Sequence, residues 1–230
     1  MVGNEPGAPD GSVPKESVYA IVGPDGAGKT TIARDVAAHL SRRRKKVRIS
    51  WMRSPRIVTL AVLGIFRLAR LSRAVRMDDH DDVHTDLSRH PFMLELYSWS
   101  VTFDYFLGYF GKVTLPRRLL RRTVICDRFT WDTLVDLGLA SGVDEAFLGS
   151  PAGRILLGLA RRHRSVLVTA PAQELLQRRP ILGLDPRLDR RLRLYQVFAA
   201  QFNLDVVDSA SLSEEASVSK VLESLGIGPA

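Results

Sequence analysis

The chain has 230 residues, 45% of them apolar and 25% charged, with a formal net charge of +8. That fits one α/β domain with a full core, or a domain with small insertions. A lone cysteine, Cys126, excludes an internal disulfide and a multi-cysteine metal site, and no apolar run reaches the roughly 18 residues that cross a bilayer.

The cysteine count is consistent with a reducing, cytoplasmic setting. The basic balance attracts polyanions without choosing among nucleotides, nucleic acids and acidic membranes. Arginine far outnumbers lysine, which favours bidentate pairing with phosphate or carboxylate. Many of these arginines are expected to be solvated surface.

Residues 1–16 are rich in Gly, Pro, Ser and Asp and read as a flexible leader, with one domain over residues 17–230. The leader lacks the basic start and apolar run of a secretory signal. Val18 to Val22 is a β-branched run ending at a glycine-rich turn. A helix is predicted from Lys29 to about Leu40, closed by the basic cluster Arg42 to Lys46. Lys46 to Trp51 reads as a second strand and Ile57 to Leu71 as an apolar helix. Asp78 to His90 reads as a charge-dense polar loop rather than a metal cluster. Pro91 opens a long helix to about Tyr109.

Thr123 to Cys126 is a third strand, followed by helices over Trp131 to Ala140 and Pro151 to Arg162. Ser165 to Thr169 is a fourth strand. Arginine-rich sequence from Gln177 to Arg193 leads into a helix through Tyr195 and Phe198. Leu204 to Val207 is a fifth strand. The last helix, Ser213 to Leu225, is capped by Ser211 or Ser213 with Glu214 and Glu215 behind it. Alternating strands and helices predict a three-layer α/β fold: a five-stranded parallel sheet with helices on both faces. Ligands on such sheets bind at the carboxyl ends of the strands. Asp25, Arg53 and Asp127 follow the first three strands and should gather there.

Gly23-Pro24-Asp25-Gly26-Ala27-Gly28-Lys29-Thr30 is a full P-loop, G-x-x-x-x-G-K-[ST], with Thr31 following. Its backbone N–H groups would converge on phosphate oxygens at a helix N-terminus. Lys29 would reach the β- and γ-phosphates of ATP. The Thr30 hydroxyl would ligate Mg²⁺. No Asn-Lys-x-Asp segment reads a guanine base, and no Asp-Glu pair ends the third strand. That strand ends Cys126-Asp127-Arg128-Phe129 instead. Asp127 could hold Mg²⁺ through water and Arg128 could grip a phosphate, which suits transfer between two bound molecules better than hydrolysis.

The P-loop with Asp127-Arg128-Phe129 resembles the thymidylate kinase family of nucleoside monophosphate kinases. The resemblance runs weakly from Val18 to Leu225. It implies a P-loop kinase fold with an Arg-rich lid over about 176–191 and an acceptor-binding insertion over about 54–115. It also implies ATP with Mg²⁺ as donor and dTMP as first acceptor. Asp25 stands where the family has an acid on the acceptor sugar. Arg53-Ser54-Pro55 resembles its Arg-Glu-Pro turn, with Ser54 in place of the acid. Tyr97 matches the aromatic that stacks on the acceptor base, although a tyrosine on this apolar helix fits the core equally. Asp127 and Arg128 match the Mg²⁺ and acceptor-phosphate motif. Gly26 and Ala27 leave the P-loop without an arginine. One or more of Arg178, Arg179, Arg187 and Arg190 is therefore implied to close over the transition state, with Arg179 and Arg187 as the catalytic candidates. Val207-Asp208-Ser209-Ala210 resembles the segment beside the donor adenine.

Val101 stands where the family has an acceptor-holding arginine, and the polar residue that reads thymine is replaced around Asp136 and Leu137. A kinase for a nucleoside or other hydroxyl acceptor stays open, as does a nucleotide-dependent regulatory module. The basic patches Arg42 to Lys46 and Arg117 to Arg122 lack interleaved aromatics, which argues against nucleic acid as a partner. Family members often pair near the acceptor site. By that resemblance, the apolar face of Phe92 to Tyr109 could serve such a homodimer.

Overall fold

A computed structural model describes residues 17–52, 57–68, 73–77, 80–84 and 90–228. Five parallel strands form the main sheet: β1 (Val18–Val22), β2 (Val47–Trp51), β5 (Thr123–Asp127), β6 (Arg164–Thr169) and β7 (Asp205–Asp208), in the order β2-β5-β1-β6-β7. The predicted five-stranded parallel sheet is the one found. β1 lies at its centre, its residues Val18 and Ile21 in register with Val124 and Asp127 of β5. The chain therefore enters the P-loop from the middle of the sheet.

Alternation along the strands builds two cores. Val18, Ala20 and Val22 of β1, with Val124 and Cys126 of β5, face one side. There they meet the helices α3 (Pro91–Tyr109), α5 (Thr130–Ser141), α6 (Pro151–Ala160) and α8 (Leu188–Phe202). Tyr19, Ile21 and Ile125 face the other side, against α1 (Lys29–Arg42), α7 (Ala172–Arg178) and α9 (Glu214–Ser224). Ile21, Ile125 and Leu134 are wholly buried, and each such side chain contributes about 1.5–3 kcal/mol. Burial, with Asp127 next to it, pushes the Cys126 thiol up, so this cysteine packs and does not react.

The insertion departs from expectation in one place. Residues 78–90 were expected to be loop, yet His80–His84 is a strand (β4), paired antiparallel with Arg73–Met77 (β3). Charge density pointed to a loop, but a second strand in register supplies the backbone ladder that a charged segment needs. The register sets Arg76 opposite Asp81 and Ala74 opposite Val83. Arg53, Ser54, Pro55, Asp78 and Asp79 lie outside the described residues.

The helix α2 (Val58–Leu68) buries Thr59, Val62, Leu63 and Phe66, a helical stripe packed on Met93, Leu94 and Tyr97 of α3. Its first turn is capped from a distance. The wholly buried Asp104 of α3 accepts the N–H groups of Val58 (3.0 Å) and Thr59 (2.9 Å). This satisfies two orphan donors and sets a carboxylate at the positive helix end. After α3 the chain runs through a π-helical turn (Phe110–Thr114) and a short helix α4 (Leu115–Arg118).

His163 accepts or donates a 2.7 Å hydrogen bond with the Tyr109 hydroxyl and packs edge-on against Phe129. Burial, then the charges of Arg117 and Arg162, lower its pKa from 6.5 to about 4. The unfolded chain therefore binds more protons than the folded one between those values, and stability falls as pH drops from 6.5 towards 4. Thermal unfolding of His163→Gln should show a shallower fall in Tm across that window than the unaltered chain. Equal slopes would remove His163 from the account.

Candidate functional site

The carboxyl ends of β1 and β5 meet at one edge of the sheet, and the P-loop wraps there. Gly23 has φ +139, and a Cβ on it would sit 2.0 Å from the Val168 carbonyl oxygen of β6. Only glycine lets the loop pass that close. Gly28, at φ +84, is the N-cap of α1 and leaves its surroundings open, so the first N–H groups of α1 keep room for a ligand. Lys29 is buried, with its ammonium folded back to donate to the Pro24 carbonyl at 2.5 Å. A bound polyphosphate offers that cation a stronger, charged acceptor.

Thr30, on the first turn of α1, donates its hydroxyl to the Asp127 carboxylate at 2.6 Å. The two sequence-predicted metal residues thus meet between the start of α1 and the end of β5. A hydroxyl and a carboxylate are hard oxygen donors. They suit a hard divalent ion such as Mg²⁺, which fills its remaining positions with water and phosphate oxygens. Among the described residues no group of three or more His, Cys, Asp or Glu could hold a metal by itself.

Arg128 leaves β5 with φ +68, held by its N–H donating to the Ile21 carbonyl at 3.0 Å. This left-handed turn throws its guanidinium back over the P-loop, where it pairs with Asp25. Arg179 approaches the same Asp25 carboxylate at 3.9 Å. Arg178, next to it, binds the Ser209 hydroxyl (2.9 Å) and carbonyl (3.1 Å), pairs with Glu174, and reaches the Gly26 carbonyl at 3.5 Å. It ties α7 and the P-loop to the turn after β7.

The expected lid is built from the end of α7, a 3-10 turn over Pro180–Leu184 and the start of α8. Its arginines divide. Arg178 and Arg179 lie at the P-loop. Arg187 donates instead to the Leu139 carbonyl of α5 at 3.2 Å, Arg190 pairs with Asp144, and Arg191 pairs with Asp136 and Asp185. Tyr97 is part-buried, its ring 6.5 Å from Phe66 between α2 and α3. Arg53 lies outside the described residues.

One residue of this region went unread in the sequence. Asp132, on the first turn of α5, is 4% exposed. It accepts from Phe129 N–H (2.8 Å), Gly23 N–H (3.2 Å) and the Tyr195 hydroxyl (2.7 Å). The signal for it was its place three residues after the helix N-cap, where an acid reaches back to the cap N–H.

Comparison with known proteins adds the fold. No family model matches the sequence, and no curated protein matches it. Among solved structures, the chain is similar to the thymidylate kinase of Ehrlichia chaffeensis, with TM-score 0.51 and 16% identity, over 91% of this chain and 98% of that one. At that identity the likeness carries the architecture alone: the chain has a fold of the P-loop nucleotide kinase type.

Proposed function

We propose that the protein transfers the γ-phosphoryl group of Mg·ATP to a nucleoside monophosphate, with dTMP the first acceptor. The observation that carries this reading is the meeting, on one sheet edge, of a complete P-loop, the Thr30–Asp127 pair and an arginine aimed back over the loop. Phosphoryl transfer asks little covalent help from a protein. It asks for in-line positioning and cations around moving charge. Lys29 would leave the Pro24 carbonyl for the β- and γ-phosphates. Thr30 and Asp127 would hold Mg²⁺, which when bound neutralises charge on the donor phosphates. Arg128, with Arg53, would hold the acceptor phosphate, and Asp25 and Tyr97 its nucleoside. Arg179 is the lid arginine best placed to reach the transferring group, with Arg187 a second candidate that would first have to leave Leu139.

A second reading has an observation of its own. Arg128 is already engaged by Asp25, so a neutral hydroxyl acceptor would not have to compete for its charge. Phosphorus NMR of Mg·ATP incubated with dTMP, other nucleoside monophosphates, or thymidine separates the two. A new diphosphate signal with dTMP supports the first reading, a new monophosphate signal with thymidine the second. ATP unchanged in every mixture would sink both.

The proposed macromolecular partner is a second copy. Phe92, Leu96, Trp99, Phe103 and Phe106 of α3 are all exposed and are spaced alternately by four and three residues. That is the spacing of a coiled-coil seam, whose partner is another helix. Exposed apolar residues in such a row mark an interface. Among the described residues no helix is long and apolar enough to cross a membrane. Light scattering after size exclusion should give twice the chain mass, and Trp99→Glu with Phe103→Glu should halve it. A monomeric mass for the unaltered chain would refute the pairing.

A further inference from the structure

We infer that Asp132 is a positioning residue that locks the P-loop, the Arg128 turn and helix α8 into one working arrangement. The inference rests on the phosphoryl-transfer reading above. Its ground is the convergence of three separate elements on one buried carboxylate. Oδ2 accepts the Phe129 N–H at 2.8 Å. Oδ1 accepts both the Gly23 N–H at 3.2 Å and the Tyr195 hydroxyl at 2.7 Å, and stands 3.8 Å from the Arg128 guanidinium. A carboxylate offers about four lone-pair positions, so this set nearly saturates it.

Each bond fixes something the chemistry needs. The Phe129 N–H follows directly on Arg128, whose φ of +68 is a conformation that non-glycine residues avoid. Holding that N–H holds the turn that aims the guanidinium. Gly23 is the first residue of the P-loop, so the same carboxylate sets where the phosphate-binding loop begins. Tyr195 lies on α8, the helix that continues from the arginine-rich segment. Burial and the charge of Asp132 raise the Tyr195 pKa well above its ordinary value, so the phenol remains a donor over the working pH range. A shift of α8 therefore pulls on the same oxygen that anchors the donor loop. Asparagine, nearly the same in size, cannot do this. Its NH₂ end cannot accept, and it brings no charge to face Arg128.

The test uses the full chain, Asp132→Asn and Tyr195→Phe. For Asp132→Asn, kcat/KM for the acceptor should fall about a hundredfold, while the Kd for Mg·ATP rises no more than about threefold. Tyr195→Phe, which cuts the α8 tie alone, should lower kcat about tenfold and leave the acceptor KM in place. Amide hydrogen exchange at Gly23 and Phe129 should quicken about tenfold in Asp132→Asn. This last readout needs no turnover. If the unaltered chain transfers phosphate to no acceptor, the function reading fails and exchange alone decides on Asp132. Unchanged exchange overturns the inference. So does a lowered Tm with kinetic constants unaltered, because Asp132 would then serve stability only.

Discussion

Replacing Lys29 with alanine is expected to lower acceptor-dependent ADP formation by about a thousandfold or more. Lys29 is the first residue of α1, and its ammonium donates to the Pro24 carbonyl. Its charge is buried, where an attraction to phosphate is little screened by solvent. The loss should appear mainly in kcat. In the proposed reaction the helix N-terminus and the loop N–H groups would still bind phosphate in the variant, and charge would build on the transferring oxygens only during the transfer. The fold should survive, because the residues around Lys29 that build the α1 core, Ile32, Ala33, Val36 and Leu40, are untouched. Steady-state kinetics with a Tm control would check this. A variant within tenfold of the unaltered chain would remove Lys29 from the chemistry.

The second large effect concerns the segment proposed as a lid. Arg179→Ala should lower kcat by about a thousandfold, the lower end of what a transferred arginine supplies in phosphoryl transfer. Arg179 stands 3.9 Å from Asp25 of the P-loop, and about half of its side chain is exposed. Arg187→Ala should cost less than about tenfold, because its guanidinium is spent on the Leu139 carbonyl. Measuring both variants under saturating Mg·ATP turns the division of the arginines into a ranking. An Arg187 loss equal to the Arg179 loss would mean that the segment closes by releasing α5, contrary to the arrangement described.

The centre of the sheet was legible because β1 and β5 are short, buried runs rich in β-branched residues, Val18–Val22 and Thr123–Asp127. The P-loop was legible because its glycines answer a steric need, seen in the contact that Gly23 would otherwise make with Val168. The pair β3–β4 was missed because its charged sequences, Arg73–Met77 and His80–His84, carry no period-2 pattern, and strand pairing depends on a partner rather than on local composition. Asp132 was missed for a related reason. Its place as an N-terminal acid of α5 was visible, but two of its three donors come from residues 63 and 109 positions away in sequence. Among the arginines expected to form a lid, sequence singled out Arg179 and Arg187 together, and these two became distinct through their acceptors: Asp25 for Arg179 and a helix-end carbonyl for Arg187, with Arg190 on Asp144.

The most direct measurement is ADP release from Mg·ATP across a panel of nucleoside monophosphates and nucleosides, with Lys29→Ala as the blank. The account predicts that one acceptor, dTMP first among them, raises ADP release well above the acceptor-free rate and that the blank shows no such rise. ADP release unaffected by every acceptor, or equal in Lys29→Ala, would contradict it.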